Sequence, residues 1–354
     1  MRIKYQHTPR GSTARDFPQN QRPISWGLIG LLVCLSVGIP LWAQGGDRNL
    51  KLAQTGNQFL SVGTDARTGA LAGAGTALDL GANALFYNPA ALANLETGLD
   101  IALNRNNWIA DISHQSISVA INPFEGRFGI IGITFFDVDY GECLGTMVWP
   151  NDQGFIDTGP FYPTALAAGL GYARRLTDRF AAGGQVKYVA QYLGDVLHPA
   201  DASIEIRRYS SDILAYDFGT LYRTPFRNLV FAMSVRNFSE EATYVRESFQ
   251  LPLTFTIGAS VDLFELLAWQ NMEQQLRLSL DASHPRSHPE IMNLGAEYRL
   301  LDYLALRVGY QTNTDEYGIS AGFGIELPRF AFDYAFTPAI HFVDIQRFTL
   351  RFYL

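Results

Sequence analysis

Charge is scarce in this chain. Asp, Glu, Lys and Arg make up 17% of its 354 residues, well below the ~25% of an ordinary soluble domain. The charge present leans acidic, at net −7, so composition gives no support to a nucleic-acid partner. Cysteine is nearly missing. Cys34 lies inside an apolar run and Cys143 stands alone, which excludes a disulfide framework and any Cys-x-x-Cys metal or redox motif. Cys34 is also badly placed for lipidation, because an anchor needs its cysteine at the end of the apolar stretch. Long apolar runs are missing but for Trp26–Ala43, which excludes a helical multispan membrane protein.

Catalytic and cofactor signatures are lacking as well. No Gly-x-Ser-x-Gly occurs, so a serine hydrolase has no nucleophile elbow. Gly69, Gly73 and Gly75 do not follow Gly-x-Gly-x-x-Gly, and no Gly-Lys-Ser/Thr follows them, so a phosphate loop is not expected. His284-Pro285 and His288-Pro289 have only Glu290 beside them, whereas a stable metal site needs three or four ligands. Each of these histidines precedes a proline that stiffens a turn. The expectation is a protein that is not an enzyme and carries neither metal nor cofactor.

What the chain does have is apolar and aromatic content, 47% and 13%, which rules out disorder. Its N-terminus carries Arg2, Lys4, Arg10, Arg15 and Arg22 against one Asp16, then 18 uncharged residues, Gly38 and Pro40 late in that run, and Ala43 before a polar stretch. A basic head, an apolar middle and a small residue before a polar start describe a secretory signal peptide over 1–43. Its removal would leave 22 basic and 33 acidic residues, net −11.

From about residue 97 to Leu354 the dominant period is two, the mark of a sheet with two different faces. Leu276, Leu278 and Leu280 alternate with Arg277, Ser279 and Asp281, and Leu304, Leu306, Val308 and Tyr310 alternate with Arg307 and Gln311. Fourteen such segments lie near 97–104, 112–121, 127–138, 162–175, 179–192, 212–224, 228–239, 249–264, 276–283, 290–299, 303–313, 316–327, 329–338 and 344–354. Most are long enough for a tilted strand to cross a bilayer, and longer than the strands of a soluble sandwich. Short turns follow most even-numbered segments, with 265–275 around Trp269 longer, while the longest connections, 139–161 and 193–211, follow odd-numbered ones. Outer-membrane barrels alternate short periplasmic turns with longer outside loops in this way. The fold class expected is all-β: an antiparallel transmembrane barrel of about 14 strands over 97–354, in contact with outer-membrane lipids.

Residues 44–96 differ. Thr68–Ala77 and Gly81–Leu92 are rich in Gly and Ala, which lets backbone segments approach closely. Eight strands already enclose a packed interior, so a fourteen-stranded lumen needs filling, and 44–96 is expected to form a plug. Within it Asn88-Pro89-Ala90 is expected to make a fixed turn, and Gly69, Gly73 and Gly75 to pack against the wall. The run Phe59–Arg67, then Gly69, Gly73 and Gly75, Ala84–Leu92, Leu294–Tyr298, Leu306–Tyr310 and Phe332–Phe336 resembles the PorV/PorQ family, in order over 49–354. One departure is Ala91 where that pattern commonly has Gly. The resemblance implies a FadL-like barrel of fourteen strands with an N-terminal plug. It further implies either help with type IX secretion through cargo handling at the surface, or passage of hydrophobic molecules.

On the less apolar faces of the later segments stand Glu297, Arg307, Glu326, Asp333 and Arg347. Opposite charges on neighbouring strands can pair inside a lumen, either as a selective polar conduit or as a structural network holding the plug. The candidate partners are therefore secretion-system or cargo proteins bound by 139–161 and 193–211, or a hydrophobic ligand in the lumen.

Overall fold

A computed structural model of the chain describes residues 55–200, 203–244, 247–268 and 274–354. The expected signal peptide, the first part of the 44–96 segment and Trp269 lie outside the described residues. Fourteen antiparallel strands close into a barrel. In chain order they are β1 Leu99–Asn107, β2 Ser113–Ile121, β3 Ile130–Asp139, β4 Thr164–Arg175, β5 Phe180–Ala200, β6 Ser203–Arg223 and β7 Val230–Ser239. They continue as β8 Thr254–Asp262, β9 Gln274–Pro285, β10 Ile291–Leu300, β11 Leu304–Gln311, β12 Ile319–Leu327, β13 Phe330–Thr337 and β14 Ile345–Tyr353. Each pairs with its chain neighbours, and β1 closes the circle on β14 from Asp100↔Tyr353 to Asn107↔Gln346.

The two-residue period sorts the side chains. On β3 the exposed Ile131, Ile133 and Phe135 alternate with buried Ile130, Thr134, Phe136 and Val138. On β11 the exposed Leu306, Val308 and Tyr310 alternate with Ala305, the buried Arg307 and Gly309. The outward face is thus apolar, as a wall against lipid chains requires. Aromatic rings pack along it across β12, β13 and β14, with Phe323–Tyr334 centroids 5.7 Å apart and Tyr334–Phe348 5.2 Å apart.

Two stretches differ from the sequence expectation. Residues 193–211 are not a loop. β5 and β6 stay paired as far as Ala200↔Ser203, with one irregularity between Tyr192 and Gly194. The wall itself ends earlier, since the last β4 partner of β5 is Tyr192. Residues 194–200 and 203–209 therefore form a two-stranded ribbon that runs past the barrel rim, and its charges (Asp195, Glu205, Arg207, Arg208) mask the strand alternation in sequence. The segment expected from 249 begins as a strand only at Thr254. Pro252 lacks the N–H that a wall strand would use. Leu251 turns inward and is 1% exposed, and Gln250 bridges Thr55 in parallel.

A charge at mid-bilayer depth on the outward face costs about 2–4 kcal/mol. Leu306→Arg is accordingly expected to lower the folded yield sharply while Leu306→Phe is tolerated, scored by the heat-dependent gel mobility of barrels folded into lipid vesicles.

Candidate functional site: the barrel interior and its outward cavity

Residues 55–96 form four short helical turns, at Gln58–Ser61, Ala66–Ala70, Gly81–Phe86 and Pro89–Asn94. Asp65 starts the second by accepting the N–H of Thr68 at 3.0 Å, the hydrogen bond that satisfies an orphan donor at a helix start. Gly73 ends it: at φ +91° its N–H reaches back to the Thr68 carbonyl at 2.8 Å. Asn88 starts the fourth, accepting the N–H of Ala90 at 3.0 Å, with Pro89 at the first helical position, where a missing donor does no harm.

The segment lies against the inward side of the wall at every strand. Asn83 meets Asn104 of β1 and Ser118 of β2, and Leu85 lies over Gly132 of β3 and Gly171 of β4. Pro89 lies over Gly183 of β5, and Asn88 donates to Thr76 O at 3.0 Å and to Thr220 O of β6 at 3.1 Å. Arg236 of β7 donates to Phe86 O, Ser260 of β8 to Ala77 O, and Asp281 of β9 accepts the N–H groups of Gly75 and Thr76 at 3.0 and 2.9 Å. Leu71 and Ala72 lie over Gly295 of β10 and Gly309 of β11, Ala70 over Gly322 of β12 and Ala335 of β13, and Ala66 donates to Thr349 of β14. At Gly309 a Cβ would stand 2.3 Å from the carbonyl carbon of Leu71, so only glycine lets the two backbones come this close. These wall glycines were not singled out in the sequence. Their signal was glycine at inward positions of otherwise regular strands.

Four of the charged residues named from sequence fall into one assembly. Glu297 accepts from Arg67 Nε and Nη2, both at 2.8 Å, and from Arg307 Nε at 2.6 Å. Arg307 Nη1 reaches Asp333 at 2.6 Å. Glu326 stands at the rim and joins through Arg299 at 3.0 Å. Arg67, from the N-terminal segment, was not expected among them. Burial works against its charge, and the carboxylates of Glu297, Asp333 and Glu326 together outweigh burial and hold it protonated. A second pair, Arg351 and Asp100, meets at 2.6 Å. Arg347 does not share in this pairing. It lies apart, under Gly69, where a Cβ would come within 2.6 Å of its Cδ. Gly73 sits beside Asn293, and Gly75 against Thr68.

On the side of the segment facing the loops 108–112, 286–290 and 312–318 there is a cavity of about 590 Å³. It lies at the long-loop end of the barrel. Its walls mix polar side chains, among them Thr254, Thr256, Ser283, Ser320, Thr337 and Arg347, with apolar ones such as Val62, Trp108, Ile109 and Ile291. Tyr87 forms part of its floor, and burial, with Asp65 beside it, pushes that phenol above its usual range. At the short-turn end the space beside Arg67 and Arg307 is only about 10 Å³.

Comparisons with known proteins place the chain. Residues 76–343 match the family described as Type IX secretion system membrane protein PorP/SprF. No curated protein is significantly similar to the chain. Among solved structures, the CymD monoaromatic hydrocarbon channel superposes with TM-score 0.57 at 13% identity, covering 83% of this chain and 98% of its own. The Pseudomonas putida toluene transporter TodX gives 0.54 at 12% identity, over 82% and 96%. A Pseudomonas aeruginosa FadL homologue gives 0.54 at 12% identity, over 81% and 97%. At such identities the likeness is one of fold. The matched family shares its secretion system with the PorV/PorQ resemblance read from the sequence, but it is a different one. It makes the chain an outer-membrane barrel, and the family and its structural neighbours are channels and secretion components rather than enzymes.

Removing one partner of a buried pair leaves an uncompensated charge, at about 3–5 kcal/mol. Glu297→Gln, which strands Arg67 and leaves Arg307 with Asp333 alone, is expected to lower the unfolding temperature of the purified barrel well below that of an exposed control, Glu205→Gln, in differential scanning calorimetry.

Proposed function

The chain belongs to the PorP/SprF family of type IX secretion system membrane proteins, and on that premise we propose that it docks a secreted or secretion-system protein at the cell surface. The observation that carries this is the ribbon of residues 194–200 and 203–209, which continues beyond the wall on the side of the longest connections. Beside it the hairpin of Cys143–Val148 and Phe155–Phe161 packs Phe161 under Gly194. Leu144, Val148, Phe155 and Ile206 are all exposed there. Apolar side chains gathered on charged, water-facing loops are what a protein interface presents. PorV-like handling of cargo is the specific form of docking proposed, with residues 1–43 as a cleaved export signal.

Residues 55–96 act, in this proposal, as a plug that keeps the barrel closed to solutes while the outer face works. The support is its contact with all fourteen strands. A second function, passage of hydrophobic molecules, draws on the fold shared with hydrocarbon channels. The interior argues against it as the resting activity. The apolar space among Leu60, Val62, Leu85, Phe86 and Phe136 is about 30 Å³, room for about one or two waters and not for an aromatic ring.

Two experiments separate these functions. Replacing Val196–Arg207 by an Asn-Gly turn is expected to leave heat-modifiable barrels in the outer membrane and to cut surface retention of type IX cargo severalfold in cell-surface labelling; unchanged retention would refute docking through the ribbon. Deleting 49–87 is expected to leave a barrel that inserts and conducts, with single-channel conductance in planar bilayers well above that of the intact chain. Equal conductance would remove the plug.

A further inference from the structure

The outward cavity holds a buried guanidinium that lacks the partner its counterparts have. Arg67, Arg307 and Arg351 each meet a carboxylate within 3 Å. Arg347 is 6% exposed and, among the described residues, forms no ion pair. Its Nη1 donates to the hydroxyl of Thr337 at 3.2 Å, its guanidinium lies 5.4 Å from the Trp108 ring centroid, and its Nε has no hydrogen-bond partner among the described residues. Arg236 lines the same cavity. It donates to Phe86 O at 2.7 Å and sits 5.9 Å from the Tyr87 ring centroid, again without an ion pair among the described residues. The two cations stand on different parts of the cavity wall, Arg236 on β7 and Arg347 across the ring on β14.

A buried charge without a counter-charge is costly. Asp65, Asp281, Asp315 and Glu316 stand around the cavity, and among the described residues none forms an ion pair with Arg347 or Arg236. One oxygen of Asp281 takes the N–H groups of Gly75 and Thr76. Asp65 takes the N–H and hydroxyl of Thr68. Glu316 takes the N–H groups of His341 and Phe342 and faces the His341 imidazole at 3.1 Å, and these contacts hold its carboxyl below the usual range. Asp281 and Asp65 exert a field on Arg236 and Arg347 respectively but do not touch them.

We propose that the outward cavity is a binding site for a carboxylate, seated on the guanidinium of Arg347. A guanidinium presents paired donors that match a carboxylate's two oxygens. Thr337 and the Trp108 ring beside Arg347 suit a ligand that carries both polar and apolar surface. A cavity of about 590 Å³ is within the ordinary range for a small-molecule site. The carboxylate can come from a small organic acid or from the C-terminus of a polypeptide. The site stands whether or not the ribbon docks cargo.

The test uses the purified full-length barrel in detergent, with triglycine, triglycine amide and succinate as probes at matched ionic strength. Binding is read from Trp108 emission and from the unfolding temperature. At least one free acid is expected to shift both readouts, and the amide neither. Response to triglycine alone assigns a polypeptide terminus, and response to succinate alone a small acid. Arg347→Gln should weaken binding at least about tenfold, the loss of a charge-assisted hydrogen bond, with Arg347→Lys between. Trp108→Phe should abolish the emission change and keep the thermal shift. Should Arg347→Gln not insert, the binding acid must protect Arg347 of the wild-type barrel from phenylglyoxal, read by peptide mass spectrometry. Equal response to acid and amide, binding unchanged by Arg347→Gln, or no protection would overturn the site.

Discussion

A ring of fourteen strands encloses more space than its own side chains can fill, and the rest of the molecule follows from that. Eight strands close on a packed interior. This wall instead turns small residues inward, among them Ala102, Ala120, Ala167, Ala232, Gly258, Gly309, Gly322 and Ala335, and the space they leave is occupied by another stretch of the same chain. The strands present inward what residues 55–96 need: glycines where backbone meets backbone, and hydroxyls, amides and carboxylates where free N–H and C=O groups arrive. Asp281 receiving two N–H groups and Thr349 receiving one do for this segment what a neighbouring strand does for a sheet.

The charge cluster has its place in the same scheme. Arg67, Glu297, Arg307 and Asp333 are costly to bury, and hydrophobic residues of equal volume could match the net stability. What such residues could not supply is a directional tie between segment and wall. Arg67 grips Glu297 with two parallel hydrogen bonds, a geometry that sets register as well as energy. Its loss would free the segment at one point, while Asn88, tied to Thr220 O of β6, holds it at another.

The two ends of the barrel are built differently. At the short-turn end ion pairs close the space beside Arg67 and Arg307, and a cavity of about 420 Å³ remains between the end of the segment and the turn at 122–129. At the long-loop end there is a larger cavity, then loops, then the ribbon above the rim. The fold is shared with hydrocarbon channels, but fold does not choose among functions. The cavity around Arg347 and the exposed apolar residues of the ribbon and its adjoining hairpin distinguish this chain's outer half.

Much of the barrel was legible because a strand's alternation is local. Leu306 and Arg307 are neighbours in sequence and must point to opposite faces whatever else the chain does, so strand number and lipid face follow from the pattern. The ribbon escaped notice because above the membrane neither face needs to be apolar, and Asp195, Glu205, Arg207 and Arg208 hide the pairing. The chemistry of the inner face was only half visible. Gly295, Gly309 and Gly322 read as ordinary strand residues until Ala70, Leu71 and Ala72 are seen lying on them, and Arg347 looked like one more member of a charge network. By itself the sequence determined the strands, their number and which face meets lipid, because those depend on residues two apart. Which buried charges pair, which glycines are contact points and that Arg347 faces a cavity without an ion pair were settled only in three dimensions, because those depend on side chains that the folded barrel brings together from up to 283 positions apart.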